Sequence, residues 1–314
     1  SSSRIEVKSL VDIGSGDFTI ATWLYTDEVL DDIIGDIASS YDPDSRTGFN
    51  FGLLNNAGVT AAQANHRQVH FGIDSGSESG WIDCGRPGNN LRVYSLCVFD
   101  GDLYAGTFET GVDEQGHVYR YAGGTEWVDC CFPDPANTAA SLCVFNGQLY
   151  AASSRYKAGG SALPDSENQN EGGNMYRYLG DSQWEAIGHL EGADSCAGMA
   201  VYNGRLYAIP LYSQGVFRYD GGSTWTHVGT PGRRMMSLGV YNGHLYGAGN
   251  EGAEKGGVFR YDGENQWTHA GGQEGVTQTY SFAVHGGRFY CGTWPDGMVF
   301  RDDGGDPWTP AGRL

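Results

Sequence analysis

A G-x-L/F-Y element, followed about fifteen residues later by V-F/Y-R-Y-D-G-G-x-x-W, recurs five times along the chain. Six tryptophans mark the ends of successive units: Trp81, Trp127, Trp184, Trp225, Trp267 and Trp308, spaced 46, 57, 41, 42 and 41 residues apart. A period of this size marks an array of supersecondary units, each of which buries its apolar face only against a neighbour. A helical array would need apolar residues at i, i+3 and i+4, and the units lack that pattern.

Within 195–234, the runs G-M-A-V-Y and R-L-Y-A-I flank Asn203-Gly204. Both turn residues tolerate positive φ, so the segment predicts a tight hairpin. G-V-F-R-Y-D supplies a third strand, Gly221-Gly222 a turn and T-W-T-H-V-G a fourth. Asp100-Gly101, Asn146-Gly147, Asn242-Gly243 and Gly286-Gly287 stand at the first turn of the other units. Four short antiparallel strands per unit predict an all-β fold, a β-propeller of six four-stranded blades. Five of these are the repeats 91–138, 139–194, 195–234, 235–277 and 278–314. Residues 1–90 contribute the first, because 69–85 match a third and fourth strand with Trp81 in register. F-T-I-A-T-W-L-Y-T, G-D-I-A-S-S-Y-D and G-F-N-F-G-L-L read as upstream strands, with 42–68 as an insertion. The alternative is five blades plus a small N-terminal β subdomain.

The runs G-D-F-T-I-A-T-W-L-Y-T, I-A-S-S-Y-D-P-D-S-R-T-G-F-N-F-G-L-L and R-Q-V-H-F-G-I-D resemble part of a laminin-G/concanavalin-like jelly roll, at a length too short for a whole one. The repeats resemble bacterial β-propeller units, and Y-D-G-G-S-T-W and D-D-G-G-D-P-W are similar to Asp-box and kelch-type turns. The resemblance implies a propeller. It leaves function open, since such folds host lectins, lyases, glycosidases and protein-docking modules.

The formal charge of −19, from 38 acidic and 19 basic residues, argues against a nucleic-acid partner. No apolar run approaches the roughly 18 residues of a spanning helix, so membrane insertion is not expected. Seven cysteines fall partly at repeat-equivalent positions, such as Cys97 with Cys143 and Cys84 with Cys130. They read as small buried hydrophobes, one unit apart and beyond bridging distance. A secreted or periplasmic setting is expected over a cytoplasmic one, and the oligomeric state is left open.

The connections between strands 1 and 2 and between strands 3 and 4 are tight in every unit. The 2–3 connection varies, reaching about twenty residues over 153–173. Variable loops on a rigid scaffold are where binding residues gather. On that face the copies disagree at Arg92, Tyr94, Glu109, Arg155, Tyr156, Tyr212, Arg234, Asn250, Glu251, Tyr280 and Trp294. Aromatic rings suited to pyranose faces, with Arg, Asn and Glu suited to hydroxyls, predict a lectin-like site for a glycan or other small polar ligand. The alternative is a polysaccharide lyase acting by β-elimination on uronate glycans. Arg155 would neutralise the carboxylate, and Tyr156, Tyr212 or His66, beside Arg67, would move the proton. A protein-docking propeller is a further alternative. Hydrolysis is disfavoured, because Glu109 and Glu251 lie three blades apart and retaining or inverting glycosidases need paired carboxylates.

Asp220, Asp262, Asp302 and Asp303 are assigned to 3–4 turns on the opposite face, and His227 and His269 share a structural repeat position. No cofactor is expected. Ca²⁺ is the one metal considered: Asp42 to Gly48 alternates oxygen ligands as Ca²⁺ loops do, but position 12 is Leu53 rather than Glu, so a turn is preferred.

Overall fold

The computed structural model describes residues 18–23, 36–42, 44–53, 56–57, 61–63, 69–76, 82–157, 165–251, 256–272, 278–285 and 287–313. Among them the chain is all-β, without a helix. Each repeat folds as one four-stranded blade. Blade I comprises β6 (Arg92–Phe99), β7 (Asp102–Phe108), β8 (Val118–Gly123) and β9 (Glu126–Asp129), following β1 to β5 described below. Blade II comprises β10 (Thr138–Phe145), β11 (Gln148–Ser154), β12 (Asn174–Gly180) and β13 (Gln183–His189). Blade III has β14 (Gly198–Tyr202), β15 (Arg205–Ile209), β16 (Phe217–Gly221) and β17 (Thr224–His227). Blade IV has β18 (Met235–Tyr241), β19 (His244–Gly249), β20 (Val258–Gly263) and β21 (Gln266–Gly271). Blade V has β22 (Gln278–His285), β23 (Arg288–Trp294), β24 (Met298–Arg301) and β25 (Thr309–Arg313). The inner strands β6, β10, β14, β18 and β22 lie side by side in sequence order.

The hairpin chemistry read from the sequence is what closes strands 1 and 2. Asp100, Asn146, Asn203 and Asn242 sit at φ of 50°, 48°, 48° and 50°, each followed by a glycine also at positive φ. This pairing fits the right-handed twist of the strands it joins.

The tryptophans form a ladder between blades. The Nε1 of Trp184, Trp225, Trp267 and Trp308 donates to the carbonyls of Cys130, Ile187, Val228 and Ala270, each in the preceding blade, at 2.8, 2.9, 3.0 and 3.1 Å. Each such bond contributes about 1 kcal/mol, on top of the apolar area its indole buries. The recurring Asp of the 3–4 turn has a local task. Asp220 accepts from Arg218 and Thr226, and Asp262 from Arg260 and Thr268, tying strand 3 to strand 4 beyond the turn. Blade I has Ala122 at this place and blade II Leu179, so Arg120 turns instead to Asp102 and Arg177 to Glu185.

The N-terminal third departs from the repeat. β1 (Asp36–Asp42), β2 (Thr47–Leu53) and β5 (Val69–Ser75) form a separate antiparallel three-stranded sheet. Two of the three expected upstream strands are thus present, whereas Phe18–Trp23 forms no strand. Phe18, Phe49 and Phe71 cluster on this sheet, with ring centroids 5.9 to 6.1 Å apart. Asp42 accepts from the Ser45 hydroxyl and the Asp44 N–H, so its oxygens serve the turn. Trp81 lies outside the described residues, but Trp127 Nε1 donates to Cys84 O at 2.8 Å, extending the ladder by one rung before blade I. The described residues complete five blades. On the side of blade I away from blade II, Leu96 is 56% exposed, against 6% or less for its counterparts Leu142, Met199, Leu238 and Phe282.

β3 (Asn56–Ala57) and β4 (Ala61–Gln63), within the expected insertion at 42–68, form a hairpin in the channel. β4 runs parallel to β18, with Ala61, Ala62 and Gln63 opposite Leu238, Gly239 and Val240, and it also packs beside β14 and β22. It adds a strand to the inner edge of blade IV, satisfying backbone groups that would otherwise face the channel.

Five of the seven cysteines are buried as expected. Cys84 and Cys131 are exposed, against the expectation for Cys84, and none forms a disulfide.

Candidate functional site

Four of the five inner strands, all but β14, carry an extra residue near their start, the end away from the 1–2 turn. Pairing shifts between Val93 and Ser95, Ala139 and Ser141, Met235 and Ser237, and Thr279 and Ser281. The extra residues are Tyr94, Ala140, Met236 and Tyr280. A bulge re-aims its side chain out of the alternation, here at the end of the channel where the 2–3 and 4–1 loops emerge.

At that mouth the sequence-derived residues converge. Tyr94 meets Tyr156 edge to face with centroids 5.5 Å apart, and Tyr156 meets Phe108 at 5.0 Å. The Arg92 guanidinium lies over both rings, 4.8 Å from the Tyr94 centroid and 6.0 Å from that of Tyr156. Burial pushes the Tyr94 phenol up, the neighbouring Tyr212, Tyr156 and Tyr280 add to the shift and Arg92 opposes it. With Tyr94 against Tyr156, and Tyr156, Tyr212 and Tyr280 on one core, blades I, II, III and V each bring a tyrosine here. Tyr156, Tyr212 and Tyr280 rest on a core that includes Leu211, Met236 and Leu238.

The described ends of the long 2–3 loop of blade II, 155–157 and 165–173, are pinned. Asn137 accepts from the Tyr156 N–H at 2.8 Å and donates to the Tyr156 and Asn168 carbonyls at 3.1 and 3.3 Å. Asn168, itself buried, donates to the Glu114 and Pro135 carbonyls across blade I. The Tyr212 hydroxyl accepts from Lys157 N at 2.8 Å and donates to Lys157 O at 3.1 Å. Lys157 Nζ sits over the Tyr212 ring at 4.8 Å. Asn137, Lys157 and Asn168 were not singled out from the sequence. An Asn in a Pro-Ala-Asn loop reads as an ordinary turn residue, and its partners are 19 and 31 positions away.

The remaining site residues separate into paired groups. Arg155 and Lys157 both donate to Asp194 Oδ2, the latter at 3.0 Å. Burial works against ionising Asp194, but the Lys157 hydrogen bond and the two cations outweigh it and hold the carboxyl below the usual range. On blade IV, Glu251 accepts from the Arg234 N–H at 3.0 Å and from Gln214 Nε2 at 2.8 Å. Arg234 Nη1 donates to Leu211 O at 3.2 Å, and buried Asn250 donates to Gln278 at 3.1 Å. Arg234 is near enough to Tyr212 to offset part of the burial that pushes that phenol up to about 12. Trp294 is 54% exposed at the end of β23 and joins none of these ring contacts. His66 and Arg67 lie outside the described residues.

Glu109 turns away from the mouth. It is 1% exposed, and its carboxylate accepts from the Thr107 hydroxyl at 3.1 Å. Burial raises its pKa above the ordinary value of 4.5, against the opposing Thr107 hydrogen bond. The folded state therefore holds this proton more tightly than the unfolded chain, and stability falls as pH rises through the folded pKa. Glu109→Gln is expected to stabilise the protein at pH 7 by about 1 kcal/mol, with the gain vanishing below about pH 4. Thermal melts across that range measure it, and a pH-independent effect would contradict the assignment.

No metal-ligand cluster of His, Cys, Asp and Glu occurs among the described residues.

No protein-family model matches the chain, and no curated protein matches it. Solved structures do. A catalytically inactive virginiamycin B lyase from Staphylococcus aureus, solved with quinupristin, aligns over 88% of this chain and 84% of its own, with TM-score 0.55 and 10% identity. YCF48 from Cyanidioschyzon merolae aligns over 90% and 85%, with TM-score 0.49 and 11% identity. A gluconolactonase from Xanthomonas campestris aligns over 84% of each chain, with TM-score 0.45 and 14% identity. At 10% identity the likeness to the lyase supports the propeller fold and nothing about chemistry.

Proposed function

We propose that this propeller binds a carbohydrate ligand at the mouth of its channel, on the face of the 2–3 and 4–1 loops, without acting on it chemically. The observation that carries this reading is the convergence of Tyr94, Tyr156, Tyr212 and Tyr280 from four blades, with Arg92 stacked on two of them. Rigid, partly exposed aromatic faces combined with a few fixed polar groups suit a pyranose, which has one apolar face and a rim of hydroxyls. Asn137 and Asn168 hold the Tyr156 loop in place, so little ordering cost falls on binding. The β3–β4 hairpin occupies the channel beside β18, so the bowl has a floor and a ligand enters from the mouth.

The lyase alternative needs a cation free to neutralise a uronate carboxylate and a hydroxyl free to move a proton. Arg155 is already paired with Asp194, and the Tyr212 hydroxyl is engaged by both backbone groups of Lys157. These pairings weigh toward binding. A glycan array tests the reading: it is expected to return a family of related oligosaccharides, with no rise in absorbance near 235 nm when they are incubated with the protein. An empty array overturns the carbohydrate assignment in favour of protein docking. A rise at 235 nm overturns the absence of chemistry.

A further inference from the structure

Arg92 stands apart from the other cations at the mouth. Arg155 and Lys157 share Asp194, Arg234 is spent on the Leu211 and Asn250 carbonyls, and Arg233 donates to the Gly256 carbonyl while lying over Phe259. Arg92 meets the rings of Tyr94 and Tyr156, and no carboxylate lies within ion-pair distance of it among the described residues. A guanidinium stacked on aromatic faces keeps its edge N–H groups available, and that planar fork matches two oxygens of one anion. In a chain of net charge −19, most cations end beside a carboxylate, as Arg46, Arg120, Arg177, Arg218, Arg260 and Arg301 do. A stacked cation without such a partner, beside a cluster of tyrosines, is built to receive charge from outside.

Resting on the carbohydrate reading above, we infer that the ligand is an anionic glycan. A carboxylate or sulfate of the sugar would take the Arg92 fork while an adjacent ring contacts the tyrosines. Both groups present the same chemistry, two or three oxygens bearing one negative charge, so the geometry commits to the anion and the experiment separates its sources. Because the protein's mean field repels anions, affinity must come from this local contact and not from long-range attraction. Salt screens that repulsion as well as the contact, so charge discrimination is read from probes and variants at one fixed ionic strength.

The test is titration calorimetry with three probes: a galacturonate trisaccharide, a sulfated galactose trisaccharide and the neutral galactose trisaccharide. At least one anionic probe is expected to bind ten-fold or more tightly than the neutral one, and the tighter of the two names the group. Arg92→Gln should reduce that affinity ten- to a hundred-fold, a larger factor than it takes from the neutral probe. Arg92→Lys, which keeps the charge and loses the fork, should recover only part. Because Arg92 is partly exposed, its variants should melt with the parent. If either does not, the comparison of anionic with neutral probes on the parent carries the test. Equal binding of all three probes, unchanged by Arg92→Gln, overturns the anionic inference and leaves the carbohydrate reading standing. Failure of all three to bind overturns both.

Discussion

Trp308→Ala is expected to cost about 3–5 kcal/mol of stability, the largest effect of any single truncation in the ladder. Its indole is 2% exposed between blades IV and V, 5.5 Å from the Phe289 ring, and it donates to Ala270 O at 3.1 Å. The backbone of blade IV is shaped around it. Gly271, at φ +130°, lies so close that a Cβ there would come within 2.1 Å of the indole Nε1. With no side chain at 271 to move in, a truncated residue 308 leaves a void that the blade cannot fill by repacking. The loss also leaves the Ala270 carbonyl unpartnered at a buried interface. Trp225→Ala, at a half-buried rung, should cost less, about 2–3 kcal/mol. Urea unfolding of both variants checks the order; a Trp308→Ala loss under 1 kcal/mol would contradict the role given to the ladder.

Tyr156→Ala is expected to weaken ligand binding by ten- to a hundred-fold, equivalent to about 1.4–2.8 kcal/mol. The ring is the hinge of the cluster. It touches Tyr94 and Phe108 edge to face and carries the Arg92 guanidinium, so its removal disturbs two neighbours besides its own surface. Tyr156→Phe separates packing from hydroxyl chemistry. It should bind within a few-fold of the parent if the ring face is what the ligand uses. A loss as large as that of alanine would show that the hydroxyl matters and would reopen proton transfer at this residue. Isothermal titration on folded variants, matched by melting temperature, makes the comparison.

Much of the scaffold was legible because its signals are local. Asn203-Gly204 and its counterparts force positive φ within two residues, and the tryptophans recur at one register, so hairpins and blades follow from short windows. Loop-length variation is likewise readable in the sequence, and it falls on one end of the blades. Tyr94 and Tyr280 could be singled out because they break the repeat, although the bulge that aims them shows only in strand pairing. What stayed hidden depends on distant partners. The β3–β4 hairpin has strands of two and three residues and pairs with β18 some 177 positions away, beyond any periodicity. Glu109 sits at the same loop position as the partly buried Arg155, Tyr212 and Glu251, yet it is almost wholly buried. Arg155 looked like a free cation until folding placed Asp194 beside it.

The most direct test of the central claim is a crystal structure of the protein soaked with the tightest oligosaccharide from the array. The sugar is predicted at the mouth, with one ring against Tyr94, Tyr156, Tyr212 or Tyr280 and an anionic group on Arg92. Sugar bound at the grooves between blades on the opposite face, with the tyrosine cluster empty, would contradict the account.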